Sequence, residues 1–541
     1  MNKSEKIVAL VLGAILAAYL YFDFSGRQKA NEAAPARETQ SRPVQVAKPA
    51  VPPAEIPVQE MAPAIEVPEQ TAVLENDELR LELTTRGGAV KRATLKKYAK
   101  NCGAMGEDNP PYEFDFSALP LGSDGTGFDS VRVDGEVAIF AAEGRTRRII
   151  LEDGYRVAIE DEGMASAVNV ALGQVSMGAS KNDLLSVDAW EVGGKKPKVV
   201  HYSETEPLKG FLAGSSGGCS SSANAAGMPK VTRPIPVNGN FTWVALKNRF
   251  FVAALCETSG TVDGFTVQVE RDTASEKYRP QAVRANARIV ADGGSLRSVF
   301  FVGPKKQALL SDLGMRDVME FGMWRWICYP VVWTLNVFYR MVPSYGVAII
   351  LLTILVRLLF WPLTHKSTVG MKKMQEIQPL MKEVQAKYKD NPQRMQQETM
   401  KLYREHKVNP LSSCLPMLIQ IPVFIALFNV LRSAVELRYA GFLWIADLSE
   451  PEGLFAAYLP FGGLNILPIL MAATMALQSA LTPQAGDKSQ QRMMMVMMPV
   501  MMLVMFYNFP SALSLYWTLS QVISIVQMWL IRRQTNKAAA R

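Results

Sequence analysis

The stretch IILLTILVRLLFWPLT, residues 349–364, is nearly all hydrocarbon except for Arg357 near its middle. An arginine at the centre of a bilayer costs about 2.5–3.5 kcal/mol on insertion scales, so such residues face protein or water and usually pair. No carboxylate is on offer: none occurs over 411–435 or in the three later apolar stretches. Two arrangements can hold the charge. In one it snorkels, since Arg357 lies six residues from Leu363, about 9 Å along a helix. In the other it stays wet in a hollow open to the cytoplasm. Thr353, Gln420, Asn429, Gln478, Ser514, Thr518, Gln521 and Ser524 are available to line it. Single Ser and Thr residues in spans often bond only their own backbone. Several Gln and Asn beside an unmatched guanidinium favour the hollow. A hydrated cation there would attract acidic or polar segments and ease a hydrophilic stretch partway across the bilayer.

Other chemistries fit poorly. GSSGG, residues 214–218, matches G-x-S-x-G around Ser216, but it sits in Gly/Ser-rich loop sequence. The one external histidine, His201, precedes that serine, whereas the nucleophile-elbow order puts histidine later. No H-E-x-x-H, Walker A or dinucleotide fingerprint occurs, so no enzyme and no cofactor is expected. The run MMMVMMPVMM, residues 493–502, lacks His or Cys neighbours and reads as a pliable apolar face rather than a metal site. The five cysteines show no C-x-x-C or Cys/His metal spacing. Cys102 and Cys219 fall in loop-like sequence on the expected outer side; they either form a disulfide or are small loop residues.

The elements that must position Arg357 emerge from uneven hydrophobicity. The 541 residues are 49% hydrophobic, yet the last third is dominated by long apolar runs while 23–320 reads as water-exposed sequence. The net charge of +8 clusters beside the apolar runs. The soluble part has no basic stripe interleaved with aromatics, so no direct DNA binding is expected.

Residues 7–22 read as an uncleaved signal anchor, giving an N-terminal span over 1–22. A Pro-rich linker follows over 23–70. From 71 to about 310 the period becomes two: Leu79, Leu81 and Leu83 alternate with Arg80 and Glu82. Turn pairs Asp153-Gly154, Asn238-Gly239 and Asp292-Gly293 punctuate it, which predicts a β-sandwich. Residues 311–344 mix Trp324, Trp326, Trp333 and Tyr339 with Arg316, Arg325 and Arg340 and predict an amphipathic helix at the membrane surface; the alternative is packing on the β-domain. The core, 345–535, holds five spans, near 345–363, 415–435, 461–481, 493–509 and 512–531. The loop 365–410 carries ten Lys and Arg against five acids, the loop after 435 is acidic, and the tail is basic. The positive-inside rule then gives six spans, both termini cytoplasmic and the β-domain outside.

Residues 366–408 read as a cytoplasmic helical hairpin broken at KDNPQ. Met371, Met374, Ile377 and Met381 fall at helical spacing. Their stripe pairs the two helices; exposed Met and basic residues such as Lys372, Lys373 and Lys389 could also meet a nascent chain.

NPLSSCLPMLIQIPVFIALF, residues 409–428, is the most distinctive segment. With WVALKNRFF, TILVRLLFWPLT, KVNP, FLWIADLS, MPV and NFPSALSLYW in this order, the chain resembles the YidC/Oxa/Alb membrane protein insertase family, in its Gram-negative YidC form, over nearly its whole length. The resemblance implies a polytopic α-helical inner-membrane protein with a large periplasmic β-sandwich (super-sandwich) domain. It implies an insertase and folding chaperone acting alone or with the Sec translocon. Its substrate groove matches here at Arg357 and Thr353, with the aromatic pair Tyr516 and Trp517; the family commonly has Tyr at the second position, so Trp517 departs. Implied partners are nascent membrane proteins, the Sec translocon, the ribosome and the lipid bilayer. The alternative is a small-solute transporter or channel with an external binding domain, which would show internal repeats; none is evident.

Overall fold

The computed structural model describes residues 69–102, 105–177, 185–194, 197–201, 231–271, 280–291, 294–389, 391–406, 415–454, 463–481 and 488–539. The expected anchor, the linker to residue 68, the GSSGG loop, Cys219 and the Asp292-Gly293 turn lie outside the described residues. The chain divides into two compact units, parted between Glu320 and Phe321.

The first unit is built of antiparallel strands. β1 (Thr71–Glu75), β2 (Leu79–Thr84), β3 (Ala89–Ala99) and β4 (Pro111–Asp115) form one sheet in chain order. The second sheet holds β5 (Ser130–Asp134), β6 (Val137–Ala142), β7 (Arg145–Leu151), β8 (Arg156–Glu162), β9 (Ala167–Ser176), β10 (Ser186–Glu191), β11 (Lys198–His201), β12 (Ile235–Lys247), β13 (Phe251–Thr258), β14 (Thr261–Arg271), β15 (Pro280–Val290) and β16 (Ser295–Pro304). Its order is 5-6-7-8-16-13-12-14-15-9, with β10 beside β12 and β11 outside β10.

The period-two pattern explains the faces. Leu79, Leu81 and Leu83 are wholly buried while Arg80 between them is exposed. Across the sandwich, Phe251 of β13 stacks on Tyr112 with centroids 3.9 Å apart and meets Phe114 edge-on. Asp153-Gly154 does turn β7 into β8, with Gly154 at φ 76°. Asn238-Gly239 does not separate strands. It lies inside β12, where the register against β14 shifts between Asn238 and Phe241 and Gly239 adopts φ 143°: a turn-like pair serves as a bulge.

Two buried ionic clusters brace this unit. Arg147 is fully buried; its Nε donates to Asp161 at 2.6 Å and Nη1 donates to the carbonyls of Gly87, Gly88 and Gly122. Lys247, from the WVALKNRFF stretch, pairs with buried Asp188 and, at 3.0 Å, with Glu320, and donates to the Val318 carbonyl at 2.8 Å. Burial works to lower the Lys247 pKa, but Asp188 and Glu320 outweigh it and raise it. The clamp fixes where the chain leaves the sheets, after α1 (Gln307–Asp312) and a 3-10 turn at Arg316–Met319.

The second unit is helical: α2 (Arg325–Met341), α3 (Tyr345–Glu376), α4 (Gln378–Lys387), α5 (Pro392–Glu405), α6 (Leu415–Ser433), α7 (Ile466–Leu481), α8 (Lys488–Phe506) and α9 (Ser511–Ala539). The stretch 312–340 is not one helix. Gly314 and Glu320 both take positive φ, and continuous α-helix starts only at Arg325. From there it is two-faced: Cys328, Val331, Val332 and Leu335 are buried, Trp326 is exposed.

α3 does not stop at Leu363 but runs through Pro362 to Glu376. Of the described residues, 345–367 form the one helix long and apolar enough to cross a membrane; its 23 residues span about 34 Å. α7 starts at Ile466 rather than 461 because both carboxylate oxygens of Glu452 accept from its first amides, Ile466 N at 2.6 Å and Leu467 N at 2.8 Å. α8 ends at Phe506 and α9 opens at Ser511, a tight turn across Phe509-Pro510.

Candidate functional site

Arg357 projects from α3 onto α9. Its Nε donates to Ser520 Oγ at 2.7 Å, and a second guanidinium nitrogen donates to the same oxygen. Two turns further along both helices, Gln527 Nε2 donates to Thr364 Oγ1 at 2.7 Å. Both pairs have the same sequence offset of 163, so α3 and α9 run parallel and in register. The same offset sets Ser511 level with Ala348, near where α3 begins.

α6 runs the other way. Gln420 Nε2 donates to Tyr516 Oη at 2.8 Å, and eight residues later Phe428 meets Phe509, before α9 starts. Tyr516 is almost wholly buried and lies beside Arg357. Gln420, Tyr516, Ser520 and Arg357 thus form one polar patch among three apolar helices. Its cation rests on a neutral hydroxyl; among the described residues no carboxylate forms an ion pair with it. A hydrogen bond to a charged group contributes roughly 1.5–3 kcal/mol, enough to hold the guanidinium in place without cancelling its charge.

The other expected groove residues separate. Thr353 is buried, and its hydroxyl donates to the Ile349 carbonyl at 2.6 Å, the backbone bond that a lone threonine in a helix commonly makes. Gln521 faces α7, where its Oε1 accepts from Thr474 at 3.0 Å. The hydroxyls of buried Ser514 and Thr518 have no partner among the described residues. Asn429 is half-buried on α6, nine residues from Gln420, or about 13 Å.

Trp517 points away from the polar patch. Its ring packs edge-on to Phe424 at 5.0 Å and against Phe506 at 5.5 Å. Phe506 also touches Phe509 and Phe424. These rings fill the space between α6, α8 and α9 towards the Ser511 end.

Sequence reasoning missed Ser520, Thr474 and Gln527. Ser520 was findable: it lies one turn after Tyr516, on the same face of a helix. Gln527 follows Ser520 by two turns, and its signal was the same stripe.

In α4 and α5, Pro392 opens α5 and the Asn391 side chain accepts from Arg394 N at 3.1 Å. This N-cap makes the break at KDNPQ. Met374, Ile377 and Met381 are buried. Tyr403 packs on the first two and its hydroxyl reaches Met381 Sδ at 3.1 Å, so this part of the stripe pairs the helices. Lys373 and Lys389 are exposed; the side chains of Met371 and Lys372 lie outside the described residues.

Comparison with known proteins places these features in context. The family model described as 60Kd inner membrane protein matches residues 337–538. That of the YidC periplasmic domain matches 228–334. The membrane protein insertase YidC of Pelobacter propionicus is 34% identical over 84% of this chain and 84% of its own. That of Syntrophobacter fumaroxidans is 43% identical, and there the chain spans 54% of the relative's length. The crystal structure of YidC from Thermotoga maritima aligns over 84% of this chain and 98% of its own at 15% identity, with a TM-score of 0.30, a likeness too slight to support any functional reading.

Proposed function

The chain belongs to the YidC membrane protein insertase family, and from that membership we propose that it inserts integral membrane proteins into the inner membrane and assists their folding. The observation that carries the mechanism is the patch of Arg357, Ser520, Tyr516 and Gln420 inside otherwise apolar helices. A fixed, uncancelled cation attracts the hydrophilic end of a substrate from the cytoplasmic side. The apolar segment meanwhile slides along α6 and α9 into lipid. Burial of its side chains drives the step, at about 0.8 kcal/mol per CH₂, and the membrane potential acts on the moving charges. Thr353, Asn429, Ser514 and Gln521 would serve the walls of this groove rather than its charged centre.

The topology proposed is six spans with both termini cytoplasmic and the β-domain periplasmic. The basic loop 365–410, the acidic loop after 435 and the parallel run of α3 and α9 support it, because an even number of crossings separates the starts of those two helices. The α4–α5 hairpin is then cytoplasmic, with Lys372, Lys373 and Lys389 available to a ribosome or nascent chain, and the Sec translocon is a proposed partner.

The test is photocrosslinking from position 420 or 516 to a nascent membrane protein in living cells. Adducts that depend on the substrate's apolar segment are expected. A solute transporter would give none, and that result would overturn the reading.

A further inference from the structure

The loop between α6 and α7 contains a tight turn that displays two apolar side chains, Leu443 and Trp444, outward. Phe442 N donates to the Ile445 carbonyl at 2.8 Å and Ile445 N donates back to the Phe442 carbonyl at 2.9 Å. Leu443 and Trp444 form the tip and are 75% and 45% exposed. Leu443 adopts φ 54°, a left-handed conformation that glycine takes freely and a leucine does not. Such strain, of order 1–3 kcal/mol, persists where the surroundings enforce it and is a pointer to function.

The base of the turn is firmly held. Ile445 and Leu448 are buried. Leu448 N donates to the Ala440 carbonyl at 3.0 Å, and the Leu448 carbonyl accepts from Ala512 N at the start of α9. The Asp447 carboxylate accepts from Ser449 N and Oγ, both at 2.8 Å. Phe442 presses on the start of α3: a Cβ on Gly346 would lie 2.0 Å from its ring. A rigid loop therefore joins the first turns of α3 and α9.

Its chemistry fits one environment. Residues 439–446, YAGFLWIA, carry no charge, while Arg438 and Asp447 flank them. An uncharged, exposed apolar tip with a Trp, at the end of a span-length helix and with the half-buried Arg438 behind it, matches the boundary between headgroups and acyl chains. Tyr339 and Tyr345 stack at 4.0 Å at this same end of α3. Gly346 precedes Arg357 by eleven residues, about 16 Å at 1.5 Å per residue, and half of a ~30 Å hydrocarbon core is about 15 Å.

We propose that the Leu443–Trp444 turn is a rigid anchor in the outer-leaflet lipid interface, which holds α3 at the height that puts Arg357 at mid-bilayer. The partner is phospholipid, and the readout below is lipid depth, so it stands or falls apart from insertion activity. The full chain is reconstituted into phosphatidylethanolamine/phosphatidylglycerol vesicles containing lipids brominated at different acyl positions. Trp444→Phe removes one of nine tryptophans, and the emission it removes reports depth. That emission should be quenched at least twofold more by bromine near the headgroup than by bromine near the chain ends. Emission untouched by either lipid would overturn the anchor.

The second arm reads Trp361, one turn past Arg357 on α3, through Trp361→Phe differences. In a Leu443→Asp, Trp444→Asp background the Trp361 quenching ratio should shift; an unchanged ratio would overturn the depth-setting role. Leu443→Gly separates display from strain. It relieves the backbone and should fold at least as well, yet Trp361 should shift in the same direction as with the Asp pair. No shift with Gly would mean that the leucine side chain does not act on lipid.

Discussion

Replacing Arg357 by alanine should slow insertion selectively, by substrate charge. The guanidinium is held by Ser520 and faces no carboxylate of its own among the described residues. An acidic side chain entering to about 6 Å would feel roughly 3 kcal/mol of attraction at an effective dielectric near 20. Water and salt in an open hollow reduce that to about 1–2 kcal/mol, or a 5- to 30-fold effect. The assay uses reconstituted vesicles and one single-span substrate in two forms, its translocated tail acidic or neutralised. Arg357→Ala should slow the acidic form about 5- to 30-fold and the neutral form less than about twofold. Arg357→Lys keeps the charge and should retain most activity on both. Ser520→Ala removes the hydroxyl but not the charge, so it should slow both forms alike and mildly. If Arg357→Ala slows both forms equally, the arginine acts through packing and the attraction is refuted.

Trp517 is only half-buried, so Trp517→Ala, which opens a gap beside Phe424 and Phe506, should destabilise the helical unit by less than the roughly 3–5 kcal/mol of a fully buried tryptophan; Trp517→Tyr should cost less, and thermal unfolding in detergent measures both. Glu452→Ala should leave the Ile466 and Leu467 amides uncapped, at a cost of about 1 kcal/mol, seen as faster hydrogen exchange confined to the start of α7. In the β-domain, burial pushes the Asp124 pKa up, but Arg147, Thr126 and Arg145 outweigh it and hold it below the usual carboxylate value. Asp124 therefore stabilises the fold above its unfolded pKa of about 3.9, and that contribution is lost as pH falls through the lower folded value. A midpoint series from pH 6 to pH 2 should show this acid limb, and Asp124→Asn should flatten it.

Much of the fold could be read from residue order. The Leu79–Leu83 alternation marked a strand, Asp153-Gly154 a hairpin, and KDNPQ the break between α4 and α5, because each is a local signal with a local cause. Asn238-Gly239 misled because its turn chemistry also suits a bulge, and only the neighbouring strand β14 decides between them. The start of α7 was hidden because its cap, Glu452, reaches it from across the loop. Arg357 stood out through cost alone, yet its partner was overlooked: a serine in a span carries no charge to search for, and only the helical spacing from Tyr516 pointed to it. Thr353 was offered to the groove as a polar residue of the span and again by resemblance, while its hydroxyl bonds the backbone of its own helix.

The central claim is that Arg357 is wet from the cytoplasmic side, and cysteine accessibility tests it most directly. Gln420→Cys is treated with a membrane-impermeant, water-soluble maleimide from either face of sealed vesicles, with Glu405→Cys on the exposed hairpin as the control. The account predicts that position 420 labels from the cytoplasmic face and is shielded from the other. Position 420 staying unlabelled from the cytoplasmic face while position 405 labels readily would contradict it.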